Sequence, residues 1–255
     1  MRIGKFGYLN NYLPYYWLEK QGYDVDVVES NPREMTELLG SSIDFAPVPA
    51  YYYLLNKEKL RSYDFCIAST DRVISVLVVS RNNKSLDKGS IAITDHSMTS
   101  VNLLKIILRE KGMQNKLVAP HNSKPNQLLD NSDYALVIGD EAIKARMLYR
   151  VVMDLGEEWY ELTGKPMVFG ISASLKGFDG SAIDELVMES IDWGWENLDE
   201  VVSAAESKFK MPGEFLEEYF KTLSYKMGNK EKKGLDLFEV LCHEHGLLPY
   251  QKSQQ

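Results

Sequence analysis

Through the first two-thirds of the chain, short apolar runs rich in β-branched and aromatic residues alternate with longer stretches whose apolar positions recur every three or four residues. That alternation predicts an α/β architecture with mainly parallel strands. Strands are expected at residues 2–7, 24–29, 43–48, 64–69, 73–81, 90–94, 134–138, 151–154 and 167–172. The clearest helix signal is SNPREMTELLGS, in which Asn31 serves as N-cap, Pro32 opens the helix, Glu34 is the reciprocal capping partner and Gly40 ends it. After Gly177 the pattern is helical alone, through SAIDELVMESIDWGWENL, LDEVVSAAESKF, GEFLEEYFKTLSY and KKGLDLFEVLCHEHG.

Two polar segments, SRNNKSLDKGS at 80–90 and GISASLKGFDG at 170–180, bracket a second βα block. The economical reading is two α/β lobes. Residues 1–82 and 171–255 form a discontinuous lobe one, residues 83–170 form lobe two, and the chain crosses between them twice. A ligand in such a fold sits in the crevice between lobes, near strand ends and helix N-termini.

Composition narrows the function class. With 44% hydrophobic residues among 255, the chain can bury a substantial core. The balance of 37 acidic against 29 basic side chains gives a net charge of -8, which works against nucleic acid or anionic membrane as partner and favours a small molecule. Cys66 and Cys242 stand far apart and outside any metal-ligand spacing, so they read as buried thiols and no metal is expected. The opening MRIGKFGYLNNYLP lacks the apolar core of a signal peptide, and no run is long enough to span a bilayer; a cytoplasmic protein is expected.

Candidate chemistry gathers where strands meet helices. In IAITDHSMTSVNLLKIIL a strand ending at Thr94 runs into a helix beginning near Met98, with Ser97, Thr99 and Ser100 at the junction. Unpaired amides at a helix N-terminus beside hydroxyls make a carboxylate or phosphate cradle; the plainer alternative is that Ser97 caps the helix. In GYLNNYLPYYWL, Asn10 leaves a strand where a ligand would lie, and Asn11 reads equally as a turn residue. Ser75 is the polar residue inside the apolar run RVISVLVVS. In ALVIGDEAI, Gly139 permits close approach to backbone, and Asp140 is either a cleft group or an N-cap.

The histidines add little. His96 lies in the candidate cradle and His121 in a proline-flanked loop, while His243 and His245 end the last helix, where the second imidazole is expected to cap the C-terminus. No Ser-His-Asp order, Walker loop or glycine-rich dinucleotide fingerprint occurs, so plain binding or cofactor-free chemistry remains.

Read together, RIGKFGYLN, DFAPVPAYYY, VISVLVVS, ITDHSMTSVNLLKIIL, ALVIGDEAI and above all DLGEEWYELTGKPMVFG resemble, in order and spacing, the chorismate dehydratase family of the futalosine route to menaquinone. The resemblance implies a two-lobed fold like the type II periplasmic binding proteins. It also implies cofactor-free loss of water from chorismate, a dicarboxylate, giving 3-[(1-carboxyvinyl)oxy]benzoate. In that family the substrate's own enolpyruvyl carboxylate is thought to take the ring proton, assisted by an asparagine and a serine that match Asn10 and Ser75. Thr99, Ser100, Gly139 and Asp140 are carried over as substrate-binding, and Ser97 joins them as part of the helix-terminus cradle that would receive one carboxylate.

The chain departs from the family pattern at Ala50, Lys165, Met167 and Ser172, which implies a less apolar cleft of different shape. Arg72 and Lys165 read either as cations facing the substrate or as solvated surface charges. The alternatives are a non-catalytic binding protein for a small carboxylate and the sister enzyme that makes dihydroxynaphthoate.

Overall fold

The computed structural model describes residues 2–81, 85–94, 97–120, 122 and 124–249. The first strands and helices are β1 (Arg2–Phe6), α1 (Tyr12–Gln21), β2 (Asp26–Ser30), α2 (Pro32–Leu38), β3 (Phe45–Pro49), α3 (Ala50–Leu55) and β4 (Leu60–Ser69). A 3₁₀ turn, Leu9–Asn11, joins β1 to α1. The middle of the chain forms β5 (Val76–Ser80), β6 (Ser90–Ile93), α4 (Thr99–Glu110), β7 (Lys116–Val118), α5 (Pro125–Leu128), β8 (Tyr134–Ile138), α6 (Gly139–Leu148), β9 (Arg150–Asp154) and α7 (Leu155–Thr163). The remainder forms β10 (Met167–Leu175), α8 (Ser181–Glu196), α9 (Leu198–Phe209), α10 (Gly213–Lys221), β11 (Leu223–Lys226) and α11 (Asn229–Glu244).

These strands divide into a six-stranded sheet, β11-β4-β10-β3-β1-β2, and a five-stranded sheet, β7-β6-β8-β5-β9. The chain changes sheet between Ser69 and Val76 and returns between Asp154 and Met167, earlier than the crossings expected near 82 and 171. The polar segment at 80–90 is the connection from β5 to β6 within the second sheet. The true first crossing hides in an apolar stretch, Val73-Ile74, that reads as strand because periodicity reports burial and not sheet membership.

The sheets are mixed and not mainly parallel. β1 runs parallel to β2 and β3, and β6 to β7 and β8. β10 is antiparallel to both β3 and β4, and β11 to β4, while β5 is antiparallel to β8 and β9. The cause is the double crossing: β10, returning from the second sheet, enters the gap between β3 and β4 from the opposite direction. β11 also corrects the expectation of helices alone after Gly177. Its four residues cover the free edge of β4, an edge that would otherwise expose unpaired amides.

At helix α2 the signals of Asn31, Pro32 and Gly40 are met. The Asn31 side chain accepts the amide hydrogens of Arg33 and Glu34, Pro32 opens the helix, and Gly40 beyond it takes a φ of 82°. The Glu34 carboxylate accepts the Ser30 hydroxyl at 2.6 Å. Two buried polar groups tie helices to the first sheet. Lys5 on β1 pairs with Glu19 of α1 at 2.8 Å and Glu29 of β2 at 3.0 Å. Asp184 of α8 accepts the amide hydrogens of Asp64 and Phe65 and the Ser172 hydroxyl, holding α8 to β4 and β10.

Both cysteines are buried, and burial pushes their thiols well up, that of Cys242 to about 12. Among the described residues no helix is long and apolar enough to cross a membrane, and no group of three or more His, Cys, Asp or Glu could hold a metal ion.

Candidate functional site

A narrow cleft, with about 50 Å³ open to a water-sized sphere, is walled by both sheets and by the first crossing. Asn10, Ser75, Ser97, Thr99, Ser100 and Gly139 line it. Asp140 is not on its described wall, and His96 and His121 fall outside the described residues.

Asn10 sits in the 3₁₀ turn that carries the chain from the end of β1 into α1. Its neighbour Asn11 is fully buried and orients it: the side-chain Oδ1 of Asn11 accepts the Phe6 amide hydrogen at 3.2 Å, and its Nδ2 donates to Asn10 Oδ1 at 3.0 Å. With its oxygen engaged, Asn10 keeps its Nδ2 hydrogens to donate into the cleft. Asn11 is therefore more than a turn residue.

Ser75 closes the first crossing. Its amide hydrogen bonds to the Val73 carbonyl at 2.7 Å across a three-residue turn whose central residue, Ile74, has a φ of 64°. That left-handed backbone is costly for a β-branched side chain. Asp154 holds it, accepting the amide hydrogens of Val73 at 3.1 Å and Ile74 at 2.8 Å while also capping α7 through Gly156 and Glu157. The Ser75 carbonyl takes the Gly139 amide hydrogen at 2.8 Å, and its hydroxyl lies 2.9 Å from that of Tyr219 on α10.

The N-terminal turn of α4 forms a further part of the wall. Ser97 Oγ accepts the Ser100 amide hydrogen at 3.2 Å, so Ser97 caps the helix as well as lining the cleft. The Thr99 hydroxyl is committed elsewhere: it donates to the Phe169 carbonyl at 3.1 Å and accepts the Tyr51 amide hydrogen at 3.2 Å, joining α4 to β10 and α3. What this turn offers a ligand is the positive end of the helix dipole.

Gly139 has a φ of 61°, and a Cβ there would lie 2.9 Å from the Tyr8 ring. The close neighbour of its backbone is thus an aromatic side chain from the first sheet's half. The Asp140 carboxylate accepts the Leu9 amide hydrogen at 2.9 Å, linking α6 to the 3₁₀ turn. It is therefore neither the N-cap of α6, which is Ile138, nor part of the described cleft wall. Burial raises the Asp140 carboxyl above its usual range, opposed by the Leu9 bond.

Every described residue on the cleft wall is uncharged, and Phe6, Tyr8 and Phe169 supply aromatic surface. Burial, reinforced by the carboxylates of Asp140, Glu34 and Glu141, pushes the Tyr8 phenol far above its ordinary value, so it remains a neutral donor. Such a site can stack a flat ring, donate hydrogen bonds to oxygens and place an anion at a helix N-terminus.

The four departures from the family pattern lie off the described cleft wall. Ser172 is turned to Asp184, and Ala50 is buried at the start of α3. Lys165 and Met167 follow α7 at the second crossing. The expected change in cleft polarity is therefore not produced by them. Arg72 pairs at the surface with Glu218 at 2.7 Å. His245 is the C-cap residue through its backbone, while its ring meets Glu110 of α4 at 2.7 Å.

Sequence reasoning missed Tyr8, Phe6 and Phe169 as walls, and Asn11, Asp154 and Tyr219 as supports. Asp154, just before a helical pattern, carried a cap signal; nothing local marks Tyr219, which lies 144 positions from Ser75.

The family described as menaquinone biosynthesis matches residues 1–244. The chorismate dehydratase of Thermus thermophilus is 28% identical over 244 residues, covering 88% of each chain. Among solved structures, protein AF1704 from Archaeoglobus fulgidus superposes with a TM-score of 0.76 at 18% identity, over 97% of this chain and 98% of that one. The alkanesulfonate-binding protein SsuA from Xanthomonas axonopodis pv. citri, bound to MOPS, gives 0.72 at 15% identity, over 98% and 94%. The periplasmic aliphatic sulphonate binding protein SsuA from Escherichia coli gives 0.68 at 16%, over 98% and 89%. The chain has a periplasmic-binding-protein-like fold.

Proposed function

The chain belongs to the menaquinone biosynthesis family, which matches it over residues 1–244, and from that premise we propose that it dehydrates chorismate to 3-[(1-carboxyvinyl)oxy]benzoate. The observation that carries this reading is an uncharged, aromatic-walled cleft with a helix N-terminus on one side, in a chain whose relative in Thermus thermophilus is a chorismate dehydratase. Chorismate is a dianion whose cyclohexadiene ring flattens as it becomes aromatic. The N-terminal turn of α4 receives one carboxylate, and Phe6, Tyr8 and Phe169 enclose the ring.

The C–H bond at the ring carbon bearing the enol ether breaks, and its electron pair enters the ring. The neighbouring C–O bond breaks with its pair on oxygen, and the abstracted proton ends on that oxygen as water. No electrons are gained or lost, so the step calls for no redox cofactor. The ring becomes aromatic, which supplies the driving force, and the protein's part is to orient, polarise and exclude water. In this reading the substrate's enolpyruvyl carboxylate takes the proton, while Asn10 and Ser75 assist by hydrogen bonding. A cytoplasmic site for the reaction is part of the same proposal.

The test is incubation of the purified protein with chorismate and EDTA, followed by liquid chromatography with mass detection. An aromatic product lighter by one water, formed faster than spontaneous decay and lost in Asn10→Ala, is expected. Tight chorismate binding by calorimetry without that product would replace the enzyme with a binding protein.

A further inference from the structure

We infer that Tyr219 is a positioning residue that commits the Ser75 hydroxyl to donate its hydrogen bond into the cleft, toward the oxygen that leaves the substrate. The inference rests on the dehydratase reading and assigns Ser75 its direction within it.

Both side chains are almost wholly buried, Ser75 at 2% and Tyr219 at 1% exposure, and their oxygens are 2.9 Å apart. Two hydroxyls at that distance share one proton between them, and which group donates decides what the other can do. Ser75 Oγ accepts the Tyr219 proton. Burial also keeps the phenol protonated throughout the working pH range. With Tyr219 donating to it, Ser75 retains its own hydrogen for a third partner.

Within the protein that hydrogen meets the Val73 carbonyl at 3.3 Å, long for a bond between hydroxyl and oxygen, whose usual separation is about 2.7–2.8 Å. A substrate oxygen at ordinary distance displaces so weak a bond. The backbone that carries Ser75 is held in place. Its amide and carbonyl are tied to Val73 and Gly139, and the turn before it is clamped by Asp154. The tyrosine ring is equally fixed, stacked on Phe215 at an interplanar angle of 14°.

The chemistry this serves is the departure of the hydroxyl. Negative charge grows on that oxygen as its bond to carbon breaks, and a fixed donor stabilises the developing charge more than it stabilises the ground state. A serine accepting from Tyr219 is polarised in the direction that strengthens its own donation.

The experiment measures kcat and KM for chorismate with the full chain as wild type, Tyr219→Phe, Ser75→Ala and the double variant. Tyr219→Phe is expected to lower kcat ~10-fold, short of the ~100-fold typical of losing a direct donor, with KM nearly unchanged. In the Ser75→Ala background the same change should have no further effect, because Tyr219 acts only through Ser75. Equal kcat for wild type and Tyr219→Phe, or the same loss in both backgrounds, would overturn the inference while leaving the dehydratase reading intact. A wild type that does not dehydrate chorismate overturns both. Should Tyr219→Phe fail to fold, 3-fluorotyrosine at position 219 provides a stronger donor on a ring of nearly the same size. A rise in kcat at constant KM is then expected, and an unchanged kcat counts against the inference.

Discussion

The carboxylate of Asp154 accepts the amide hydrogen of Ile74 at 2.8 Å, and Ile74 has a φ of 64°, a backbone that a β-branched residue does not hold unaided. One side chain thereby binds both places where the chain passes between sheets, because the same carboxylate caps α7. Asp154→Ala is expected to destabilise the protein by about 2–4 kcal/mol, since several charge-assisted bonds are lost and buried amides are left unpaired. It should also lower turnover by releasing the turn that presents Ser75. Urea unfolding measures the first effect, and an unchanged midpoint with unchanged m-value would show that the clamp contributes nothing.

Gly139 meets two constraints together, a φ of 61° and the Tyr8 ring within 2.9 Å of where a Cβ would stand. Gly139→Ala should cost about 1–2 kcal/mol from backbone conformation, with a further cost from the ring. Adding Tyr8→Ala should remove the steric part and leave the conformational part. Thermal unfolding of the single and double variants separates them. A double variant no better than Gly139→Ala alone, after allowing for Tyr8→Ala by itself, would mean the ring contact is immaterial.

Thr99 joins α4 to α3 and β10 through one hydroxyl that both donates and accepts. Thr99→Val has nearly the same shape and leaves the Phe169 carbonyl and the Tyr51 amide without that partner, for an expected loss of about 1–3 kcal/mol. Thr99→Ser keeps the hydroxyl and should lose less. If the two variants melt together, the hydroxyl bridge is not what stabilises this junction.

Asp140 gives a pH signature. Its carboxyl is raised by burial, so the folded chain binds that proton more tightly than the unfolded chain does. The resulting stability is fully present below the unfolded value, near pH ~4, and is lost as pH rises through the folded value. Asp140→Asn is neutral throughout and loses nothing over that rise. The melting temperature of the variant minus that of wild type should therefore be more positive at neutral pH than at pH ~4. A difference that stays constant across the range would rule out the buried carboxyl as its source.

Local chemistry was legible in the chain by itself. Asn31 caps α2 because a short polar side chain before a proline and a helical pattern can do little else so well. The small hydroxyl residues between Thr94 and α4 announce a helix N-terminus, and the alternation of apolar runs announces layered sheets and helices. Asn10, Ser75, Ser97, Thr99, Ser100 and Gly139 could be singled out because each is a polar or small residue at a strand end, where an open crevice lies.

Only tertiary structure decided which groups these residues face. Apolar periodicity records that Ile74 is buried, yet its backbone is left-handed because Asp154, 80 positions away, holds both amides of the turn. β11 is four residues long and exists because β4 offers an edge, a partner no local pattern encodes. Asp140 carries an acidic residue's usual signal at a helix start, but its carboxylate is drawn to Leu9, 131 positions away. A sequence specifies the conformations its own neighbours favour; hydrogen bonds between segments far apart in the chain are fixed only when packing brings their donors and acceptors within about 3 Å.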